Sequence, residues 1–271
     1  AEQRAMYERW AEIADRMHLW IYPHQYRHRL APMPSIRAVA ENIRYFAEQG
    51  AESAYVQQSI GADYGREPMR FWVWSKLQWD PTRDVEDLML DFILGYYGDA
   101  APAVVDYHEL LWRHVDRYTD FTSERNWIYA IHEEEMYRHG FVDEARAILA
   151  RAAAAADSDE VRERVRALKV GVVWVEAVQL FMQMRDGDTP PDSERYASVR
   201  RELETLCGSL GIESVGFYDG TRSINPADEF LEEMSTVRER RLGKAHLQEG
   251  AWGEGYVPSE PDRLGLAQRW Y

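Results

Sequence analysis

Two short apolar runs with one helix between them constrain this chain more than any other feature. HLWIYPHQY reads as a buried strand ending near Tyr22, and ESAYVQQSIG as a second, which places strands at 17–22 and 54–58. Between them a helix starts after Pro34, with Ser35 as its cap, Ile36, Val39, Ile43, Phe46 and Ala47 on one stripe, and Gly50 at its end. Strand, helix and strand in that order oblige the two strands to run parallel in one sheet, because a helical crossover returns the chain to the end it started from. Parallel strands are buried on both faces, and two of them do not make a stable sheet. Further strands must therefore come from unrecognised parts of the chain or from upstream of residue 1.

The rest of the sequence reads as helices. Residues 1–16 are helical, and a third helix covers roughly 66–79 after the second strand. In the next helix Asp84 is the N-cap with Asp87 three residues on, Val85, Leu88, Met89, Phe92, Ile93, Tyr96 and Tyr97 form one stripe, and Gly98 is the left-handed C-terminal residue. Beyond it, helices are expected from Asp99 through Tyr118, from Ser123 to Gly140, over 142–156, from Ser158 to near Arg185, over 193–209 and over 226–242. DGDTPPDS at 186–193 is a turn-rich break, and ESVGFYD is the one later stretch with extended character. The expected organisation is a βαβα segment over 1–80, an α-helical domain over 81–245 and an irregular tail over 246–271.

Composition excludes several partners. Thirty-two basic against 47 acidic residues give a net charge of −15, spread over both halves of the chain. Nucleic acid and anionic membranes need a basic patch to displace counterions, so neither is expected to bind. The longest apolar run, 170–182, is interrupted by Glu176 and falls short of the ~18 residues of a membrane span. The chain reads as soluble, cytoplasmic or secreted. A single cysteine, Cys207 in LETLCGSL, rules out an internal disulfide and reads as a small buried hydrophobe. The start, Ala-Glu-Gln, has neither a basic nor an apolar signal region, and the chain is expected to be part of something longer.

The order LWIYPHQY, P-x-P, NIRYFAEQG, AYVQQ, KLQWDP and then D-x-x-x-L-x-x-D-F-x-x-x-YYG-x-AAP, over residues 17–118, resembles the C-terminal portion of a family of uncharacterised glycoside-hydrolase-like barrel proteins. That family is similar to α-glucuronidases and to endo-β-N-acetylglucosaminidases. The resemblance implies that the two strands are the last two of a TIM-type (β/α)8 barrel, and that the helices from 84 onward are an appended helical bundle. It also implies a carbohydrate partner, no cofactor, and an N-terminal part of the same protein that supplies the other strands and their catalytic carboxylates.

Glycoside hydrolysis usually uses two carboxyl groups about 5–10 Å apart. Neither strand end supplies such a pair. The first offers Tyr22, His24 and Tyr26; the second offers Gln57, Gln58 and Ser59, with Asp63 the one carboxylate in the following loop. Rings that stack on pyranose faces and amides that bond hydroxyls in both directions suit sugar binding, so Tyr22, His24, Tyr26, Gln57 and Gln58 are the candidate substrate-binding residues. No residue is assigned a catalytic role. His132, Glu135 and His139 in AIHEEEMYRHG share a helix face at metal-ligand spacing, but Met136 stands where a zinc-protease histidine belongs, and the face reads as solvated charge. No metal is expected. Trp72 and Trp79, seven apart, read with Trp74 as packing between the two parts, and Trp79-Asp80-Pro81 as the junction between them. Two functions remain open: a glycoside-hydrolase-like protein or its C-terminal part, and a non-catalytic helical module that binds carbohydrate or protein.

Overall fold

The computed structural model describes residues 2–21, 28–56, 68–118, 133–187, 193–218 and 223–244. The chain begins with α1 (Glu2–Ile13), β1 (His18–Ile21), α2 (Ile36–Glu48), β2 (Ser53–Val56) and α3 (Pro68–Trp79). It continues through α4 (Val85–Tyr97), a 3-10 turn (Gly98–Ala100), α5 (Ala101–Tyr118), α6 (Glu133–Met136), α7 (Phe141–Ala155), α8 (Asp159–Asp186) and α9 (Glu194–Leu210). The strands β3 (Ser214–Tyr218) and β4 (Ser223–Pro226) and the helix α10 (Ala227–Lys244) complete the described residues.

β1 and β2 pair in parallel, with His18 opposite Ser53 and Ile21 opposite Val56, as the helical crossover requires. The ladder is opened by the bond from the Glu52 amide to the Met17 carbonyl at 2.9 Å, with Arg16 paired to Glu52 beside it. Among the described residues this sheet has two strands, so both outer edges are unpaired. Its faces differ. Leu19, Ile21 and Ala54 are half-buried and Ile21 packs on the core, whereas Trp20 and Tyr55 are 62% and 57% exposed and meet edge to face at 4.7 Å.

α2 buries Ile36, Val39, Ala40, Ile43 and Phe46, and Gly50 ends it at φ 80°. Ser35 departs from expectation: its own torsions are already helical and its hydroxyl does not cap the helix. Asp84 does cap α4, accepting from the Glu86 and Asp87 amides at 2.8 and 3.1 Å. The α4 stripe docks as its spacing demands, with Leu88, Met89, Ile93 and Tyr97 buried and Phe92 against Trp72 of α3. From α8, Arg164 lies 3.9 Å over the Tyr96 ring and donates to its carbonyl at 2.7 Å. Gly98 has positive φ, but Asp99 falls inside the 3-10 turn and the next helix starts only at Ala101.

Trp74 is buried, but Trp79 is 91% exposed, against the expectation that it packs with Trp72. It is the last residue of α3, and the chain leaves the helix axis immediately after it: Asp80 accepts from the Thr82 amide and hydroxyl at 3.0 and 2.6 Å, while Arg44 donates to the Pro81 carbonyl. The Asp80 carboxyl is held below the usual range by the Thr82 hydroxyl first and its amide second.

α8 is buried around its whole circumference from Val170 to Val178, and α4, α7, α9 and α10 pack on it. Ser158 caps it by accepting from the Val161 amide at 3.2 Å. Beyond residue 84 the ESVGFYD stretch forms β3, in keeping with its extended character, and pairs antiparallel with β4, a strand that was not expected; Phe217 of β3 meets Phe181, Phe230 and Trp174. The expected helix from Ser123 to Gly140 is also corrected: its described part is the short α6 and a turn, broken where His139 and Gly140 both adopt positive φ. A stretch in α4 and α5, Val85–Tyr118, does reach the length and apolarity of a membrane span, which the count of uninterrupted apolar residues missed. In the fold it is two helices joined by a 3-10 turn, each burying one face.

The segment after residue 27 ties the strand pair to the helices. His28 bridges to Phe217 of β3, Leu30 is 1% exposed, and the Pro32 carbonyl accepts from the Tyr137 hydroxyl at 2.5 Å. Arg70 donates to the Met33 carbonyl at 2.9 Å. This segment rests on α8 at Gly171, where a β-carbon would stand 2.8 Å from the Leu30 carbonyl oxygen. Gly171→Ala is therefore expected to cost about 1–3 kcal/mol, since backbone faces backbone and neither yields. Gly208→Ala in α9, which meets no neighbour, should be neutral or gain up to about 1 kcal/mol. Denaturant midpoints of the two variants check the contrast, and equal midpoints would contradict it.

Candidate functional site

The strand-end residues singled out by sequence, Tyr22, His24, Tyr26, Gln57 and Gln58, lie outside the described residues, as do Ser59, Asp63 and His132. The structure does fix where the two stretches depart. Ile21 and Val56 are register partners, so the described parts of the two parallel strands end side by side at their C-terminal ends. The first returns at His28, seven residues past Ile21, which places His28 within about 25 Å of that strand end.

His28 lines a cleft of about 700 Å³. The floor is the C-terminal half of α8, with Trp174, Glu176 and Gln179; one wall is the turn Tyr137–Gly140 and the start of α7, and Arg195 of α9 closes the far side. Sequence places these groups for physical reasons. Residues 170–178 are uniformly apolar apart from Glu176, which drives this part of α8 into the core and carries the carboxylate with it. The turn follows the end of α6 at Met136 and closes through His139 (φ 55°) and Gly140 (φ 85°), both in the left-handed region that a helix does not use.

Glu176 is 4% exposed and both of its oxygens are engaged. Arg146 of α7 donates to Oε2 at 2.6 Å, and Arg195 donates to Oε1 at 2.9 Å. Arg146 also spans both oxygens of Glu202, which is paired with Lys169 at 2.6 Å, and Arg195 reaches Asp143 at 3.3 Å. Burial opposes the Arg146 charge, but Glu202 and Glu176 more than offset it and its pKa rises. Glu176 itself raises that of Arg195. Burial raises the Glu202 carboxyl, yet the bonds from Arg146 and Lys169 and their charges outweigh it, and the net shift is downward. Both oxygens of Glu176 are thus committed to guanidinium donors, one from α7 and one from α9, which makes it the centre of an ion-pair network joining three helices.

The remaining polar groups are less committed. Gln179 donates through Nε2 to the Tyr137 carbonyl at 3.1 Å, and its Oε1 accepts from no described residue. The Trp174 indole N–H is buried and meets no acceptor among the described residues. Glu135 and His139 bond each other at 2.8 Å on the surface, as expected of a solvated face, with His139 stacked on Tyr118 at 4.1 Å. Among the described residues no group of three His, Cys, Asp or Glu side chains is placed to hold a metal. Cys207 is buried. Sequence reasoning passed over Glu176, reading it as an interruption of an apolar run; a lone carboxylate inside such a run is itself the signal of a buried ion pair.

With this geometry in view, comparison with protein families matches residues 2–109 to the family described as Domain of unknown function (DUF4838). The matched stretch contains the parallel pair and α1–α4 and ends inside α5, so it includes His28 and leaves out α8 and Glu176. No curated protein and no solved structure matches.

Two consequences can be measured. Glu176→Gln leaves Arg146 with Glu202 and the half-exposed Arg195 with Asp143, so its cost should be about 1–3 kcal/mol rather than the roughly 3–5 of an orphaned buried charge; a thermal midpoint unchanged from the parent would refute this. The depressed Glu202 carboxyl contributes stability that is fully present above its ordinary pKa and is lost as pH falls through the lower folded value. His114, which packs on Phe141 and donates through Nδ1 to the Met136 carbonyl at 2.9 Å behind the cleft wall, is lowered mainly by burial. Its stabilising effect is present above pH 6.5 and fades as pH falls below that value. Unfolding free energy should therefore decline in two stages from pH 7 downward. Glu202→Gln should remove part of the acid stage and leave the first intact.

Proposed function

We propose that this chain is the C-terminal part of a carbohydrate-active, glycoside-hydrolase-like protein, contributing the last two strand–helix units of a (β/α)8 barrel and an appended helical region. The catalytic carboxylates would stand on strands outside this chain. The observation that carries the reading is the β1–α2–β2 unit itself: two parallel strands in register, both edges unpaired among the described residues, and an aromatic face, Trp20 and Tyr55, open to solvent. Parallel strands need neighbours on both sides and cover on both faces, and a closed barrel gives both. In such barrels chemistry occurs at the C-terminal ends of the strands. Tyr22, His24, Tyr26, Gln57 and Gln58 follow those ends here and are proposed to contact the sugar.

The second reading, a non-catalytic binding module, is favoured by a different observation: the cleft on α8 carries a carboxylate whose oxygens are both tied to arginines. The two readings divide on where activity resides. The chain alone is expected to leave 4-nitrophenyl glycosides uncleaved, and the reading frame upstream of Ala1 to encode further strand–helix units with acidic residues at strand ends. Turnover by the isolated chain would disprove the assignment of the carboxylates. An unrelated domain upstream would overturn the barrel.

A further inference from the structure

α1 buries little of itself. Of its described side chains only Tyr7 and Ala11 are half-buried, and the others are exposed. Tyr7 meets Phe46 of α2 edge to face at 4.8 Å, and the Tyr45 hydroxyl of α2 donates to the Arg4 carbonyl at 3.2 Å. A second apolar stripe, Met6, Trp10 and Ile13, is exposed. It lies about a third of a turn from the Tyr7–Ala11 face, so α2 takes the first face and leaves the stripe uncovered. A 12-residue helix is marginal in water without packing, and a stripe of methionine, tryptophan and isoleucine is the kind of face by which an amphipathic helix docks.

The place of α1 says what docks there. α1 precedes β1 as α2 precedes β2, the strands pair in parallel, and the two helices touch. The Glu52 amide, just before β2, bonds the Met17 carbonyl, just before β1. α1–β1 and α2–β2 are thus two helix–strand units side by side, helix on helix and strand on strand. α2 has further neighbours in α3 and α4, whereas α1 stands at the end of the row. Among the described residues, the free stripe of α1 and the unpaired edge of β1 are left open by the same unit. One more unit in the series covers both.

We propose that the outer edge of β1 and the Met6–Trp10–Ile13 stripe form one docking surface, occupied by a further helix–strand unit of the same protein. Its strand adds in parallel to β1 and its helix lies on the stripe. This rests on the reading of the chain as the last part of a barrel, and adds to it the residues of the seam. A lone helix would cover the stripe and leave the edge unpaired. A second copy of the chain would set a charge of −15 against −15.

The experiment is hydroxyl-radical footprinting read by mass spectrometry, on this chain alone and on the continuous polypeptide that its reading frame encodes from upstream through Tyr271. In the chain alone Met6, Trp10 and Trp79 should be oxidised rapidly. In the continuous polypeptide Met6 and Trp10 should slow tenfold or more, while Trp79, exposed at the end of α3, should not. Trp10→Glu should lower the thermal midpoint by about 5 °C or more in the continuous polypeptide and by about 1 °C or less in the chain alone, where the position faces water. If that variant fails to fold, the footprint of the unsubstituted protein decides. The proposal is overturned if the frame encodes no helix–strand unit, or if Met6 and Trp10 react equally in both polypeptides. It is also overturned if they are already protected in the chain alone, which would place a segment of this chain on the stripe, or if that protection grows with concentration, which would make the occupant a second copy. Trp20 separates this result from the barrel reading. Protection of Trp20 with Met6 and Trp10 still reactive keeps the barrel and removes the seam, whereas a reactive Trp20 in the continuous polypeptide overturns the barrel itself.

Discussion

The arrangement of this protein depends on the contact between the Leu30–Pro32 backbone and α8 at Gly171. A β-carbon at 171 would meet the Leu30 carbonyl oxygen at 2.8 Å and the Pro32 ring at 3.3 Å, neither of which can rotate away, so the absence of a side chain is what permits the contact. The segment passes Tyr137 and Arg70, which donate to its carbonyls, and then enters α2; α2 returns the chain to β2, and β2 pairs with β1. Gly216 has the same function on the other side, where its positive φ and lack of a side chain make room for Arg29. One hydrophobic cluster consequently runs from Leu30 and α2 through α8 to Met234 of α10.

A second constraint is electrostatic. Glu176 stands in the most buried part of α8, and placing a carboxylate there costs more in desolvation than a hydrophobic residue would. Its partners explain its geometry better than its energy. Arg146 comes from α7 and Arg195 from α9, while Glu202 of α9 receives both Arg146 and Lys169 of α8. Three carboxylates, counting Asp143, face three cations across three helices, and sliding any one helix by a turn would leave an unpaired charge in a poorly hydrated place. The network therefore fixes helix register, and the cleft inherits walls with fixed separation.

Much of this was legible in the sequence. The parallel pair followed from HLWIYP and SAYV flanking an amphipathic helix, and the α4 stripe, the Asp84 and Ser158 caps and the α8 limits followed from spacing and cap chemistry. The failures have physical causes. β4, read from SINP, is four residues long and ends in proline, too short for alternation to register, and it is held by Phe217 and α10 rather than by propensity. Trp79 shares a helical face with Trp72, but helix periodicity says nothing of where the helix ends, and the Asp80 turn ends it there. The cleft was not legible, because Glu176, Gln179, Arg195 and His28 come from distant positions and meet only through the Gly171 contact and the turn at His139. The strand-end residues that sequence did single out follow β1 by one to five positions and β2 by one or two, and lie outside the described residues.

The open face of the strand pair imposes its own condition. Four-residue parallel strands gain little from their own ladder, and here Ile21 packs on the core from one side. The other side presents Trp20 and Tyr55 to water, and among the described residues neither outer edge pairs with another strand. A helix laid across the aromatic rings would cover the face and leave the edges wet. A second copy pairing edge to edge would satisfy one edge, bring together two chains of charge −15 and leave the face exposed. Additional parallel strands, curving round from each edge, cover face and edges together. Of the three solutions, that is the one in which every polar group of the pair is bonded and both rings are buried, and it is the physical basis for reading these strands as part of a larger closed sheet.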